Sequence, residues 1–254
     1  MSHISYSALK IWNECAFKHK LKYIDRVDEF KGNEFTAFGK AIHSTCEKII
    51  ISESINYENY FESEFLKEIT DLKHNQVELK ADLINNMRTQ GKNIIKDVLP
   101  AVKQEFKNFE VVSVEEKLYE DIEDNDQKFK GFVDLVIKTP DDKYHIIDWK
   151  TCSWGWNSRK KTDKILTYQL VLYKHYFAKK HNIDPKKIET HFALLKRTAK
   201  SDHAEIFRVS SGAVKNKNAL KLLNKALYNI EKKNFIKNRL SCTYCEFYKT
   251  KHCT

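Results

Sequence analysis

The hydrophobic positions in the first hundred residues follow the period of amphipathic helices. One helix is predicted over residues 4–24, and a second begins near Thr36. Residues 55–108 are rich in Lys, Glu, Leu and Ile, and they predict two or three further helices ending near Pro100 and Phe109. The first part of the chain is therefore predicted to be helical.

From residue 110 onward, hydrophobic and polar residues alternate as they do in strands. The segments 110–120, 128–138 and 143–150 are rich in β-branched residues, and turn-forming residues separate them. Three consecutive strands of this kind predict an antiparallel meander. The later segments predict a helix, two strands and a final basic helix, at 163–181, 188–196, 203–209 and about 211–234. This order of elements predicts an α/β fold.

Composition narrows the classes of protein that remain. The chain has 254 residues, 41% of them hydrophobic, which is enough to bury a core and excludes disorder as the dominant state. Its 6 glycines form neither a G-x-G-x-x-G turn nor a phosphate-binding loop, which argues against a nucleotide-driven motor. The amino terminus lacks signal-peptide features, and no segment approaches the ~18 uncharged residues of a membrane span. We expect an intracellular protein without membrane contact.

The charge is strongly positive and unevenly distributed. The chain carries 45 Lys and Arg against 35 Asp and Glu, a net charge of +10. Residues 214–254 hold ten basic and two acidic residues, a net +8. Basic residues that neutralise phosphates gain affinity by releasing counterions, so this charge indicates a polyanionic partner. A requirement for solubility can produce the same composition.

Three of the six cysteines lie in the last thirteen residues. Cys242, Cys245 and Cys253 form a C-x2-C-x7-C pattern, whose first spacing suits chelation by thiolates. In a reducing compartment such cysteines are more often metal ligands or free thiols than disulfides. Four cysteines would meet the ligand count of either a Zn²⁺ site or a [4Fe–4S] cluster. Cys46 and Cys152 are interpreted as ordinary thiols.

Two aspartates in the predicted meander stand out chemically. Asp134 lies inside the apolar segment GFVDLVI, and Asp148 ends the next segment, two positions before Lys150. Residues two apart in a strand project from one face, so Asp148 and Lys150 point together. Adjacent strands can bring Asp134 beside them, and converging carboxylates suit Mg²⁺ or Mn²⁺. The alternative is a solvated ion pair at a strand end, although a buried Asp134 without a partner would be costly.

These residues resemble the motifs of the PD-(D/E)XK nucleases. GFVD at 131–134 and IIDWK at 146–150 match the catalytic motif, and FGKAIH at 38–43 resembles the G-x-x-x-H motif of the RecB-like branch. QLVLY at 169–173 resembles the Q-x-x-x-Y motif of that branch. Cys15 together with the cysteines of the tail resembles the iron–sulfur subgroup, which includes AddB-type nuclease domains and CRISPR-adaptation exonucleases. The motifs occur in the family's order across nearly the whole chain.

The resemblance implies a role for each matching residue. The metal ligands would be the side chains of His43, Asp134 and Asp148 and the main-chain carbonyl of Trp149. Lys150 would act on the attacking water and the scissile phosphate. Gln169 would position Lys150 or the substrate, and Tyr173 would contact DNA or support the site. Glu116 stands where the family often carries an acidic residue, so it is a candidate for a supporting or second-metal group.

The resemblance also implies the fold and the cofactors. It implies a single restriction-endonuclease-like domain over 1–254, with a helical region at 25–108 and a metal-cluster tail at 235–254 that pairs with Cys15. The catalytic residues would hold Mg²⁺ or Mn²⁺. The iron–sulfur subgroup implies a structural [4Fe–4S] cluster, with Zn²⁺ as the alternative, bound by Cys15, Cys242, Cys245 and Cys253.

The predicted function is a metal-dependent deoxyribonuclease, an exonuclease acting on single-stranded DNA ends. Aromatic residues near the predicted site, interleaved with basic ones between 159 and 164, could stack on bases or simply pack locally; they are Trp149, Trp154, Trp156 and Tyr168. The alternatives are a structure-specific or single-strand endonuclease, a DNA-binding subunit whose site is only a scaffold, and a non-catalytic zinc-stabilised DNA-binding protein. The expected partners are DNA and recombination or replication proteins, in a bacterial, archaeal or viral cytoplasmic setting.

Overall fold

A computed structural model of the protein describes residues 2–27 and 30–253. Within these ranges the chain folds around a mixed sheet of six strands. The strands are β1 (His3–Ser5), β2 (Glu110–Asp121), β3 (Lys128–Lys138), β4 (Tyr144–Cys152), β5 (Ile188–Lys196) and β6 (Ala204–Val209). The predicted meander is present, because β3 pairs antiparallel with both β2 and β4. β4 then pairs parallel with β5, which pairs antiparallel with β6.

Helices cover both faces of this sheet. They are α1 (Tyr6–Glu14), α2 (Ala16–His19), α3 (Glu34–Ile50), α4 (Tyr57–His74), α5 (Ala81–Phe106), α6 (Ser158–Lys161), α7 (Lys164–His181) and α8 (Ala213–Glu231). α1, α7 and α8 bury their apolar side chains on one face, and α3, α4 and α5 bury theirs on the other. None of the helices in the described part of the chain is long and apolar enough to cross a membrane.

Two helix predictions are corrected by the structure. The single helix predicted over 4–24 is divided into β1, α1, α2 and a π-helical turn at Lys20–Ile24, because Cys15 is extended, with a φ of −162°. The predicted end near Pro100 is also wrong, since α5 continues to Phe106. A proline inside a helix costs about 3 kcal/mol, but Val98 and Val102 are completely buried on either side of it, and burying each contributes roughly 1.5–3 kcal/mol.

The sheet opens between β3 and β4. Their pairing runs from Lys138 opposite Tyr144 to Leu135 opposite Ile147 and ends there. Past this point β4 remains paired with β5, whereas the first three residues of β3 pair in parallel with β1. The opening therefore lies beside the next residue of each strand, Asp134 and Asp148.

Candidate active site

Asp134 and Asp148 face each other across the opening between β3 and β4. Asp134 is 9% exposed and Asp148 is 1% exposed. The Oδ2 atom of Asp134 accepts a hydrogen bond of 2.7 Å from the backbone N–H of Trp149, on the neighbouring strand. This bond replaces the ladder bond that is lost where the strands separate, and it fixes the orientation of the Asp134 carboxylate.

His43 approaches the same carboxylate from α3. Its Nδ1 atom lies 3.8 Å from Oδ2 of Asp134. Burial and the nearby Lys150 ammonium lower the pKa of His43 to about 4. The imidazole is therefore neutral at physiological pH, and one ring nitrogen keeps the lone pair that a metal ligand needs. Gly39 lies one helical turn earlier, where an added Cβ would make only an ordinary contact of 3.7 Å with Thr151.

Lys150 forms an ion pair with Oδ2 of Asp148. The two residues are two positions apart on β4, so both side chains lie on the same face, as the sequence predicts. Lys150 also lies over the ring of Phe192 on β5, with Nζ 5.8 Å from the ring centroid. The ammonium is thus held beside the carboxylates, while part of its side chain remains open to solvent.

α7 holds Asp148 from behind. The amide of Gln169 donates a 2.6 Å hydrogen bond to Oδ1 of Asp148 and a 3.2 Å bond to the hydroxyl of Tyr173, one turn later. Tyr173 is buried, so it supports the site and does not form a DNA-contacting surface. Its ring lies against Gly131, where an added Cβ would come within 2.7 Å of Cε1. The glycine makes room for the tyrosine.

The electrostatics of the opening favour a divalent cation. Burial and the neighbouring Asp148 carboxylate raise the pKa of Asp134, and burial also raises the pKa of Asp148 despite the opposing charge of Lys150. Two desolvated carboxylates that repel each other are stabilised by a cation between them. Carboxylate oxygens with a neutral imidazole are suitable ligands for Mg²⁺ or Mn²⁺, so the residues present fit such an ion.

A sequence profile of the PD-(D/E)XK nuclease superfamily matches residues 3–250. The chain belongs to this superfamily. It is therefore a nuclease by family, and the family implies divalent metal ions and a DNA substrate. A search of curated proteins found no match to the sequence.

One solved structure supports the fold of this nuclease. A protein from Eubacterium rectale named “Putative exonuclease” is similar over 98% of this chain and 89% of that chain, with a TM-score of 0.60 and 12% identity. The structure of SSO0001 aligns over 82% of this chain and 93% of that chain, with a TM-score of 0.39 and 15% identity. The first similarity, with the family match, confirms the predicted α/β restriction-endonuclease-like fold.

The nuclease site contains two acidic residues that the sequence analysis missed. Glu115 stands directly opposite Asp134 in the β2–β3 register, and its side chain is hydrogen-bonded to Glu47, one helical turn after His43. Glu116, which the sequence analysis nominated, points to the opposite face, where Lys180 donates a 2.7 Å bond to it. Because side chains alternate along β2, Glu115 and Glu116 point to opposite faces of the strand. The sequence alone did not show which of the two faces the site, because it does not fix the register.

The predicted group of stacking aromatics is also corrected. Trp149 and Tyr168 are buried in the two hydrophobic cores. Trp156 packs edge-on against Phe192, with the ring centroids 5.2 Å apart. Trp154 is 74% exposed. Three of the four residues therefore serve packing, and only Trp154 could stack on a base.

The four cysteines of the predicted cluster come together between the first helices and the tail. They line one cavity of about 130 Å³ between the α1–α2 junction and the tail. The backbone N–H of Asn238 points at Sγ of Cys15, 3.3 Å away, and the Asn238 side chain donates a 2.8 Å bond to the carbonyl of Glu14. Cys46 is buried, and burial raises the pKa of its thiol, while Cys152 is half-buried on β4.

A further group of potential ligands lies at the other end of β4 from Lys150. Ligand atoms of His145, Glu189 and His191 lie within 4.8 Å of one another. The two imidazoles are hydrogen-bonded to each other, with Nδ1 of His145 3.1 Å from Nε2 of His191. Glu189 already pairs with Arg208 at 3.2 Å. These contacts account for the group as a buried polar network within the sheet.

Proposed function

We propose that this nuclease is a metal-dependent deoxyribonuclease of the RecB-like branch that degrades single-stranded DNA from its ends. The observation that carries the proposal is the convergence of His43, Asp134, Asp148 and Lys150 where β3 and β4 separate. Their order along the chain matches the motifs of that branch. The name of the Eubacterium rectale protein agrees with cleavage from ends.

The metal would be held by the groups that the sequence motifs indicate. These are the side chains of His43, Asp134 and Asp148 and the main-chain carbonyl of Trp149. A bound divalent ion lowers the pKa of water and neutralises charge on the phosphate. The hydrogen bond from Trp149 keeps Asp134 oriented, and the bond from Gln169 does the same for Asp148. Such supporting bonds usually tune metal affinity.

Lys150 supplies the mobile positive charge of the site. Its ammonium pairs with Asp148, and its side chain is partly exposed to the opening. From this position it can donate a hydrogen bond to a phosphate oxygen or orient the attacking water, and so stabilise the charge that develops in the transition state. Asp148 holds the ammonium in place through this ion pair.

We further propose that Cys15, Cys242, Cys245 and Cys253 bind a [4Fe–4S] cluster. Four thiols around one cavity meet the ligand count of such a cluster. The resemblance of Cys15 and the tail cysteines to the iron–sulfur subgroup favours the cluster over a single Zn²⁺ ion. The N–H of Asn238 would stabilise the thiolate of Cys15.

The role we propose for the cluster is structural. Cys15 lies 227 residues before Cys242 in the chain, so a shared cluster would join the first helices to the tail. The cavity and the catalytic opening are formed by different elements, α1, α2 and the tail in one case and β3, β4, α3 and α7 in the other. Hydrolysis needs no electron transfer, so the cluster would act on stability.

A nuclease assay with Mg²⁺ or Mn²⁺ tests the proposed activity. The substrates are 5′-labelled and 3′-labelled single strands, duplexes and closed single-stranded circles. We expect linear single strands to be degraded and circles to resist, and Lys150→Ala to abolish cleavage. A matched control is Lys67→Ala, an exposed lysine on α4. Cleavage of circles would identify an endonuclease, and undiminished cleavage by Lys150→Ala would show that the site is wrong.

Metal analysis tests the cluster separately. Anaerobically purified protein should contain iron and sulfide in equal amounts and absorb broadly near 400 nm. The variant Cys245→Ser should lose both signals, and Cys152→Ser should keep them. A colourless protein that contains one zinc ion and no iron would show that the cysteines bind Zn²⁺ instead of an iron–sulfur cluster.

A further inference from the structure

We propose that the open face of β2 and β3 beside Asp134 binds the single-stranded DNA that enters the active site. We define this surface, the β2–β3 strip, by Lys117, Tyr119, Lys130 and Phe132. The inference deepens the proposed function, because it names the surface that would select a single strand.

The register of the two strands places the strip on the catalytic face. Lys130 and Phe132 on β3 alternate with residues that face α7, so they project from the other face of the sheet. His43 approaches Asp134 from α3, which covers that same face. On β2, Lys117 stands opposite Phe132 and Tyr119 stands opposite Lys130. The strip is therefore a direct continuation of the face that carries Asp134 and begins about 7 Å from it along the strand.

The opposite face of the same strands is closed. Phe129, Gly131 and Val133 alternate with the strip residues and lie under α7, with Gly131 against Tyr173. In contrast, Phe132 is 42% exposed and Tyr119 is 38% exposed. Large aromatic side chains are thus presented to solvent on one face of a well-ordered sheet, within reach of the catalytic carboxylates. Such exposed apolar surface beside a site marks a binding surface.

The charges of the strip match a nucleic-acid backbone. Nζ of Lys117 lies 5.2 Å from the centroid of the Tyr119 ring, and Nζ of Lys130 lies 5.9 Å from that of Phe132. Lys128, just beyond the strip, lies 5.6 Å from the centroid of the same Tyr119 ring and also pairs with Asp121 at 2.5 Å. Two ammonium groups interleaved with two rings form the combination that holds single strands, in which phosphates contact the lysines and bases stack on the rings.

The geometry selects a single strand over a duplex. The bases of a duplex are already stacked on one another, so only unpaired bases can lie on the rings of Phe132 and Tyr119. A strand bound along β3 would bring its phosphates toward Asp134 in sequence, as an enzyme that acts from an end requires.

Binding measurements on ring variants test the proposal directly. The probe is fluorescein-labelled oligothymidylate, measured by anisotropy in EDTA so that no cleavage occurs. We expect Phe132→Ala and Tyr119→Ala each to weaken binding at least about fivefold, since stacking on one aromatic contributes ~1–3 kcal/mol per base. The matched control is Tyr228→Ala on α8, an exposed aromatic that also has a lysine, Lys232, over its ring.

Salt dependence tests the lysines. Each phosphate contact contributes a slope of about −0.7 to log affinity against log salt for single strands. Lys130→Ala should therefore reduce the slope by about 0.7, whereas Lys232→Ala should leave it unchanged. Unchanged thermal melting of each variant shows that the fold is intact. Binding equal to wild type in all strip variants would overturn the proposal, as would an equal loss of duplex binding.

Two controls separate this inference from the proposed function. Hydrolysis of bis-p-nitrophenyl phosphate should remain within about twofold of wild type in the strip variants, because this small diester cannot reach the strip. If Lys150→Ala still cut DNA, the catalytic assignment would fail while the binding result stood. If the strip variants bound DNA normally but changed the oligomeric state in solution, the face would be an interface between copies of the chain, and the proposal would be wrong.

Discussion

The catalytic opening and the cysteine cavity are built in different ways. In the opening, every proposed ligand stands on a strand or helix, and hydrogen bonds from Trp149 and Gln169 orient the carboxylates. In the cavity, three of the four cysteines lie in a tail whose described residues, 235–253, form a 3-10 helix at Arg239–Tyr244 and a single bridge between Thr250 and Cys253. The tail is attached by bonds such as that from Ser241 to the carbonyl of Glu14.

This difference separates two functions of bound metal. The opening is held together by the hydrophobic cores on both faces of the sheet, so removing its ion should abolish chemistry and leave the fold. The tail has few buried apolar side chains, with Phe247 among them, so removing its cluster should loosen the fold and spare the chemistry. Measuring both the cleavage rate and the stability of variants in each region tests this separation.

The largest effect is expected from Asp134→Asn. The variant should lose at least about 1,000-fold in cleavage rate, because a neutral amide cannot replace the carboxylate as a metal ligand. Its metal-free form should be at least as stable as the wild type, since a desolvated charge beside Asp148 is removed. The amide oxygen can still accept the bond from Trp149. Melting in EDTA and single-turnover cleavage measure the two properties.

The result would be decisive in either direction. A metal-free melting temperature well below that of the wild type would show that Asp134 has a structural role and would break the separation of the two regions. A matched control is Asp126→Asn, in the turn between β2 and β3 and away from the opening, which should change neither property.

The second largest effect is expected from Cys245→Ser. Loss of one thiolate should release both the tail and the α1–α2 junction and cost more than about 1 kcal/mol, which lowers the melting temperature by roughly 2–4 °C. Limited proteolysis read by mass spectrometry should show new cuts near Cys15 and within 235–253. Cys152→Ser should show neither change. An equally protease-resistant Cys245→Ser would exclude a structural cluster.

The third effect concerns the support of Asp148. Gln169→Ala should reduce cleavage or Mg²⁺ affinity about 10- to 100-fold, the usual result of removing a hydrogen bond to a metal ligand. Tyr173→Phe should cost less, because Gln169 keeps its bond to Asp148. The apparent Mg²⁺ affinity distinguishes positioning from a general loss of stability. Gln104→Ala, on an exposed part of α5, is the control, and a Gln169→Ala variant with normal Mg²⁺ affinity and rate would contradict the assignment.

Much of the fold could be predicted because the hydrophobic residues of many elements recur with the spacing of a helix or a strand. The alternation of β3 between Lys128 and Lys138 is visible in the sequence, and so is the helical spacing of α7. The motif residues then fall on adjacent elements. The short strand β1 could not be predicted, because three residues carry no measurable period and its pairing with β3 is a long-range contact.

The remainder of the site depends on register. Glu115 faces Asp134 because it lies between the pairs Val114–Leu135 and Glu116–Val133 in the register of β2 and β3. A shift by one residue exchanges the two faces of a strand, so no pattern within β2 distinguishes Glu115 from Glu116. The burial of Trp149 and Tyr168 likewise follows from the packing of α3 and α7 against the sheet. The types of residue near a loop do not show which of them will be buried in this way.

The fourth prediction compares the two glutamates on β2. Glu115→Gln should lower the cleavage rate several-fold, because the lost carboxylate lies opposite Asp134 in the site. Glu116→Gln should leave the rate unchanged and reduce stability slightly, since it accepts a 2.6 Å bond from Ser113 and pairs with Lys180. Cleavage rates and urea unfolding of the two variants measure this. The reverse pattern would mean that the register of β2 is wrong.

The smallest effect is a dependence of stability on pH. Burial and the Glu115 carboxylate raise the pKa of Glu47 from 4.5 to about 7. Between these values Glu47 binds more protons in the native state than in the unfolded state, so its contribution to the free energy of unfolding of the metal-free protein should fall as pH rises from about 4.5 to 7. Glu47→Gln should remove this falling contribution in urea titrations with EDTA.

Glu116, on β2, contributes a dependence of stability on pH with the opposite sign. Although burial opposes it, hydrogen bonds from Lys180, Ser113 and His181 lower the pKa of Glu116. Its contribution to stability is therefore present above the pKa of the unfolded state and is lost as pH falls. Glu47→Gln and Glu116→Gln should tilt the curve of stability against pH in opposite directions. Equal tilts would show that the two carboxyls share one environment, contrary to the contact of Glu47 on α3 with Glu115 on one face of β2 and the pairing of Glu116 with Lys180 on the other.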